Sequence, residues 1–130
     1  MIVVDASAVI EVLLATPNSH VIERRMHLAD GSLHAPQLLD IEVLQVLRRL
    51  CTQGVTTANR CREALDDLSD LPIARYGHGS LVARIWVLRH NMTAYDAAYV
   101  ALAEALDAPL ITRDRRLGNA PGHTALIEVV

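Results

Sequence analysis

Four acidic residues sit where surface decoration does not explain them. Asp5 ends the apolar run Ile2-Val-Val, and Asp114 follows Leu110-Ile-Thr-Arg. Glu42 lies inside Pro36-Gln-Leu-Leu-Asp-Ile-Glu-Val-Leu-Gln-Val-Leu47, a segment apolar on nearly every side of a helix, which predicts burial. Asp96 opens a second such segment, Thr93-Ala-Tyr-Asp-Ala-Ala-Tyr-Val-Ala-Leu-Ala103. Carboxylates brought within ~4 Å repel by about 4 kcal/mol per pair at an effective dielectric of 20, so a fold keeps such a cluster only if something positive bridges it. Hard oxygen donors with open positions suit Mg²⁺ or Mn²⁺, which also take phosphate oxygens. Such a site can activate water and stabilise the charge that builds on a phosphodiester during hydrolysis.

Each acid also has a plainer use. Asp5 at a strand–helix junction suits an N-cap, Thr93-x-x-Asp96 fits a capping box, and Asp114 can cap a short helix at Arg115. Glu42 has the weakest alternative. Its i±3 and i±4 neighbours are Leu38, Leu39, Gln45 and Val46, so no local cation pairs with it.

The acids need a frame that converges. Strands are expected at Ile2–Asp5, Leu110–Thr112 and Ile127–Val130, with weaker signals at Ser32–Ala35 and Pro72–Ala74. Helical patterns run over Ala6–Ala15, Ser19–Ala29, Gln37–Gln53, Thr57–Ser69, Ser80–His90 and Ala94–Asp107. Turn material lies at Thr16-Pro-Asn-Ser19, Asp30-Gly31, Gln53-Gly54 and Tyr76-Gly-His-Gly79. This alternation predicts an α/β fold, a three-layer α/β/α sandwich with a mainly parallel central sheet of four to five strands. In open α/β sheets a site forms beyond the carboxyl ends of strands, where Asp5 and Asp114 fall.

Composition narrows the function. The 130 residues suit one domain over 1–130, and 52% apolar content with 21% charge argues against disorder. The formal charge of −3 excludes a globally basic nucleic-acid binder. All 12 basic residues are arginine, so there is no P-loop lysine and no Schiff-base lysine. Cys51 and Cys61 fit neither a zinc spacing nor a CxxC motif, which suggests a reduced, cytoplasmic chain. The opening Met1-Ile-Val-Val-Asp5 has no charged n-region or long apolar h-region, so no secretory signal is expected, and the longest apolar run, Ala97–Ala103, falls far short of the ~18 residues of a membrane span. No serine–histidine–acid set is legible, and the six histidines are scattered without ligand spacing.

Taken in order, these residues resemble the PIN-domain family, most closely its small prokaryotic VapC-like toxins, the ribonuclease halves of toxin–antitoxin pairs. Ile2-Val-Val-Asp5-Ala-Ser7-Ala is similar to the family's opening motif, and Pro36-x-Leu38…Glu42-Val43 to the second. Thr93-x-Tyr95-Asp96-Ala97-x-Tyr99 and Thr112-Arg-Asp114-x-x-Leu117 are similar to the third and fourth. The resemblance spans essentially the whole chain. It implies that Asp5 and Asp96 hold Mg²⁺ or Mn²⁺ and that Glu42 and Asp114 act as further ligands or orienters of the attacking water. It also implies that Ser7 and Thr112 support the pocket by hydrogen bonds. The implied activity is metal-dependent endoribonucleolytic cleavage of structured RNA. The implied partners are a second copy of the chain, forming a homodimer, and a cognate VapB-like antitoxin, with no membrane. Gln45 departs from the pattern, standing where the family often has asparagine.

Arg113, Arg115 and Arg116 flank Asp114 and can meet phosphates, or form a solvated cluster at a helix start. Arg48 and Arg49 lie further from the acids. With 3% aromatic residues, recognition by shape and backbone is favoured over base stacking. The main rival is a catalytically silent module for adhesion or RNA binding. Asp5-Ala-Ser7 fits the start of an integrin-type metal site but meets Val9 at the fifth position. A haloacid-dehalogenase-like phosphatase would need an acid at position 7 and a lysine.

Overall fold

A computed structural model describes residues 1–28 and 32–130 of the chain. The end of the second expected helix at Ala29 and the Asp30-Gly31 turn lie outside the described residues. The strands are β1 (Ile2–Val4), β2 (Leu33–Pro36), β3 (Ile73–Tyr76), β4 (Leu110–Thr112) and β5 (Ile127–Val129). They form one five-stranded sheet in the order β3-β2-β1-β4-β5, with every pairing parallel. The helices are α1 (Ala6–Leu13), α2 (Ser19–Leu28), α3 (Leu38–Thr52), α4 (Ala58–Asp70), α5 (Val82–Val87), α6 (Ala94–Leu106) and α7 (Arg115–Gly118).

This topology follows from crossover handedness. The connections β1→β2 and β2→β3 step one way along the sheet, whereas β3→β4 steps back across two strands. Right-handed crossovers therefore place α1–α4 on one face and α5–α6 on the other. Accordingly α1 packs on α2, α3 and α4, while α6 packs on α5 and against β1 and β2. The expected α/β/α sandwich is thus realised, with a fully parallel sheet of five strands. Ile2, Val3 and Val4 are all fully buried, as a parallel strand covered on both faces requires.

The helix α6 is buried along all of Ala97–Ala103. Its alanines let it lie close to the sheet, and Thr93 caps its start by accepting from the Asp96 N–H at 3.1 Å. The helix α3 differs from expectation. It buries only the stripe Leu39, Val43 and Leu47, while Ile41 (64%) and Leu44 (45%) face solvent. Its partners are α1, β2 and α4, which cover one side only. Its first turn has no local side-chain cap. Instead the Leu38 N–H donates to Nε2 of His78, 40 residues away, at 3.2 Å.

The expected helix over 80–90 is broken into a 3₁₀ turn, the short α5 and a second 3₁₀ turn. Strand β3 extends to Tyr76, where the sequence suggested a turn. Its neighbour His34 is buried with its ring between the Tyr76 hydroxyl (2.7 Å) and the Ser32 hydroxyl (2.9 Å). Three arginines close the periphery with two-pronged ion pairs, Arg25–Glu128, Arg75–Asp40 and Arg84–Glu104, a geometry lysine does not offer. Cys51 and Cys61, unrelated by spacing, line one groove between α3 and α4. Among the described residues no helix is long and apolar enough to cross a membrane.

Candidate active site

The order of strands reverses between β1 and β4, which are neighbours with Val3 opposite Leu110 and Val4 opposite Ile111. A crevice opens at their carboxyl ends, the place where open α/β sheets bind ligands. Asp5 follows β1 and Asp114 follows β4. Glu42 lies in the second turn of α3, which leaves the same edge after β2. Asp96 lies in the first turn of α6, whose amino end points to that edge because α6 runs back down the sheet to β4. The amino ends of α1, α3 and α6 thus surround the acids, and their dipoles favour negative charge there.

Asp5 is held from several sides. Its Oδ1 accepts from Ser7 Oγ at 2.6 Å and from the Ala8 N–H at 3.0 Å, and its Oδ2 accepts from Thr112 Oγ1 at 2.5 Å. It is therefore the N-cap of α1 as well as a member of the cluster. Both hydroxyls are used twice. Ser7 Oγ accepts from the Arg113 N–H at 2.9 Å, and Thr112 Oγ1 accepts from the Asp114 N–H at 3.0 Å. This hydroxyl pair fastens the turn after β4 to the start of α1.

Asp114 caps the short α7 through the Arg116 N–H at 2.8 Å, so its plainer role is present too. Asp96 lends its backbone N–H to the cap, which the Thr93 hydroxyl provides. Its carboxylate faces a hollow of about 210 Å³ that Asp114, Arg116, Thr93 and Asn91 also line. Glu42 is half-buried, and its Oε1 is buried without a hydrogen-bond partner. A separate apolar hollow of about 240 Å³, lined by Val12, Met26, Leu33 and Leu71, lies toward the amino ends of β2 and β3, away from the acids.

The carboxylates act on one another. Burial raises the pKa of Asp5 above the usual range, against its hydrogen bonds from Ser7, Thr112 and Ala8, and the charge of Asp96 adds to the rise. Burial raises Glu42, with the charges of Asp5 and Asp96 adding. Burial raises Asp96, and Asp114 adds to this while Thr93 and Arg116 oppose it. Among the described residues no three His, Cys, Asp or Glu side chains close on one chelating point. The four carboxylates lie along one crevice, close enough for their charges to act on one another. An all-oxygen donor set, a buried carboxylate oxygen with no partner and like charges near one another fit a hard divalent cation, which Asp5, Asp96, Glu42 and Asp114 are the residues placed to hold.

A stability test follows from these shifts. Above their unfolded pKa values, carboxylates with raised folded pKa values hold protons that the unfolded chain has released, so they make stability fall as pH rises. In chelator, the wild type is expected to lose stability through this effect as pH rises above the ordinary carboxylate range. Asp96→Asn should flatten that slope and raise the melting temperature at pH 7. After discounting for solvent screening, the gain is up to about 1 kcal/mol, roughly 4 °C. Glu104 works with the opposite sign, because Arg84 overrides the effect of burial and holds it low. The difference between wild-type and variant melts therefore isolates the cluster. Destabilisation by both Asp5→Asn and Asp96→Asn would argue against mutual repulsion.

The arginines divide. Arg113 is engaged, its side chain donating to the Val130 carbonyl and standing 3.7 Å from Glu11. Arg116 is 94% exposed at the hollow, with Nε 3.5 Å from Asp114 Oδ1. Arg115 is exposed beside Asn119, outside the hollow. Arg48 and Arg49 face solvent on α3, and Gln45 is exposed as well. Val9, where an adhesion-type metal site needs a hydroxyl, is buried in the core. One polar residue escaped attention as a site residue in the sequence. Tyr99 reads as core, yet its hydroxyl lies beside Glu42. Its i+3 spacing from Asp96 on α6 was the available signal.

Comparison with known proteins identifies the family. The PIN domain family model matches residues 2–122. Ribonuclease VapC1 of Mycobacterium tuberculosis is 45% identical over 129 residues, covering 98% of this chain and 96% of that protein. Ribonuclease VapC12 of the same organism is 38% identical over 130 residues, covering 100% and 99%. The structure of VapBC2 from Rickettsia felis, bound to a DNA fragment from their promoter, shares the fold with a TM-score of 0.73 at 13% identity, covering 99% of this chain and 98% of that one. The chain belongs to the PIN-domain family, and the VapC ribonucleases are among its near relatives.

Proposed function

We propose that the chain is the toxin of a toxin–antitoxin pair, an endoribonuclease that hydrolyses phosphodiester bonds of structured RNA with Mg²⁺ or Mn²⁺. The observation that carries this reading is the meeting of Asp5, Glu42, Asp96 and Asp114 at the β1/β4 crevice. A divalent cation held there supplies charge neutralisation for a phosphodiester and acidifies water. The chain's own residues do the rest. Asp5, fixed by Ser7, Thr112 and Ala8, presents a carboxylate of set orientation. Glu42 presents a further carboxylate near Asp5 and Asp96, to bind the cation or to orient the attacking water. Arg116 stands exposed at the mouth, where a phosphate of the RNA backbone would arrive. A homodimer and a VapB-like antitoxin complete the proposed assembly, in the cytoplasm.

Mapping of new 5′ ends across total RNA after brief induction tests the reading. Wild type should generate discrete new ends that Asp5→Asn does not, and an absence of new ends in wild type would overturn it. Arg116→Ala should weaken RNA binding and lower the slope of log affinity against log salt by about 1, as loss of one phosphate contact requires. Arg113→Ala should leave that slope unchanged, because its side chain serves Val130 and Glu11. Fluorescence anisotropy with a catalytically silenced background measures both.

A further inference from the structure

Tyr99 has no part in the reaction as described. It is only 2% exposed, and among the described residues its hydroxyl is one of three buried side-chain polar atoms without a hydrogen-bond partner. Another of the three is Glu42 Oε1, which the Tyr99 hydroxyl adjoins at the carboxyl edge of the sheet. The two groups are adjacent without a hydrogen bond of normal geometry. A phenol can donate, and an ionised carboxylate can only accept, so they are complementary.

Glu42 has few other means of orientation. No cation occupies its neighbouring helix positions, and Gln45 is exposed. The oxygens of Asp5, by contrast, already receive Ser7, Ala8 and Thr112. A neutral donor also suits the chemistry, because it can fix a carboxylate without cancelling the charge that a cation needs. An arginine in the same place would cancel it.

We propose that Tyr99 is a positioning residue whose hydroxyl donates to Glu42 Oε1 when the four carboxylates are drawn together, holding Glu42 toward Asp5 and Asp96. The inference rests on the metal-dependent reading of the crevice. Tyr99 touches neither substrate nor scissile bond and acts through Glu42 alone. Its removal should therefore change the site and leave the metal-free fold intact.

The test is calorimetric titration of Mn²⁺ into the full chain, comparing wild type, Tyr99→Phe, Glu42→Gln, the double variant and Asp96→Asn. Tyr99→Phe is expected to weaken Mn²⁺ binding about tenfold, within the range for groups that orient a ligand. It should leave the melting temperature in chelator unchanged or higher, since it deletes an unpartnered buried oxygen. In the Glu42→Gln background it should add nothing. Full Mn²⁺ affinity in Tyr99→Phe, an equal further loss in the Glu42→Gln background, or a loss that parallels a drop in chelator stability would each overturn the inference. If Asp96→Asn abolishes binding while Tyr99→Phe does not, the metal-site reading stands and this inference falls. Absence of Mn²⁺ binding by wild type would overturn both. Should Tyr99→Phe fail to fold, a Tyr76→Phe/Tyr95→Phe variant leaves Tyr99 as the sole tyrosine for ultraviolet resonance Raman. Its tyrosine doublet should move toward that of a hydrogen-bond donor on adding Mg²⁺, and an unmoved doublet would overturn the inference.

Discussion

Asp96→Asn is expected to fold normally and to cleave RNA at least about a thousandfold more slowly than wild type, a loss of roughly 4 kcal/mol of transition-state stabilisation. The division of labour at the start of α6 makes this a clean substitution. Thr93 provides the cap, so neither the helix nor the buried run Ala97–Ala103 depends on the charge at position 96. Asparagine keeps size and polarity, and it removes only the anionic oxygen that faces Asp114 and Arg116 across the hollow. In chelator the variant should be the more stable protein, and with Mg²⁺ present it should lose the extra stability that a bound ion gives wild type. Cleavage of an end-labelled RNA, alongside melts with and without Mg²⁺, measures both sides. Unchanged cleavage would take Asp96 out of the site. Asp5→Asn is a less clean companion, because Asp5 also caps α1 and receives two hydroxyls.

The contrast between those two acids shows what a sequence reveals about a site. The strand before Asp5 and the helix after Asp96 were legible because local rules specify them: a short continuous apolar run, and a capped segment buried all round. Position at the carboxyl edge followed from the strand–helix alternation. What escaped was set by contacts between distant segments. Helix α3 read as buried, but burial depends on which neighbours arrive, and α1, β2 and α4 cover one side only. Its cap comes from His78, which no local pattern predicts. Arg113 looked equivalent to Arg116 until the chain end reached it through Val130. Cys51 and Cys61 share a groove that spacing could not foretell, and Tyr99 is indistinguishable from a core aromatic until Glu42 is placed beside it.

Thr112 carries the second large effect, because one buried hydroxyl joins two acids. It is 0% exposed; its Oγ1 donates to Asp5 Oδ2 and accepts from the Asp114 N–H. Thr112→Val preserves the β-branched shape that β4 needs between β1 and β5, and it deletes that single oxygen. Two polar groups then lose a partner, at a cost of about 1–3 kcal/mol in stability. Cleavage should fall about 10–100-fold, as expected when a group that orients a metal-binding carboxylate is lost. The pH profile gives the effect a sign. The Thr112 hydrogen bond lowers the pKa of Asp5 against the larger upward push of burial, so its loss leaves Asp5 higher still. The acid limb of the cleavage profile, where Asp5 becomes protonated, should therefore move to higher pH in Thr112→Val. Thr112→Ser reverses the pattern. It restores the hydroxyl, and with it cleavage and the original acid limb, while removing a buried methyl at a cost of about 1 kcal/mol. Two variants at one position thus separate packing from hydrogen bonding. If serine fails to recover cleavage, or if valine leaves the acid limb in place, Thr112 contributes to the sheet and not to the orientation of Asp5.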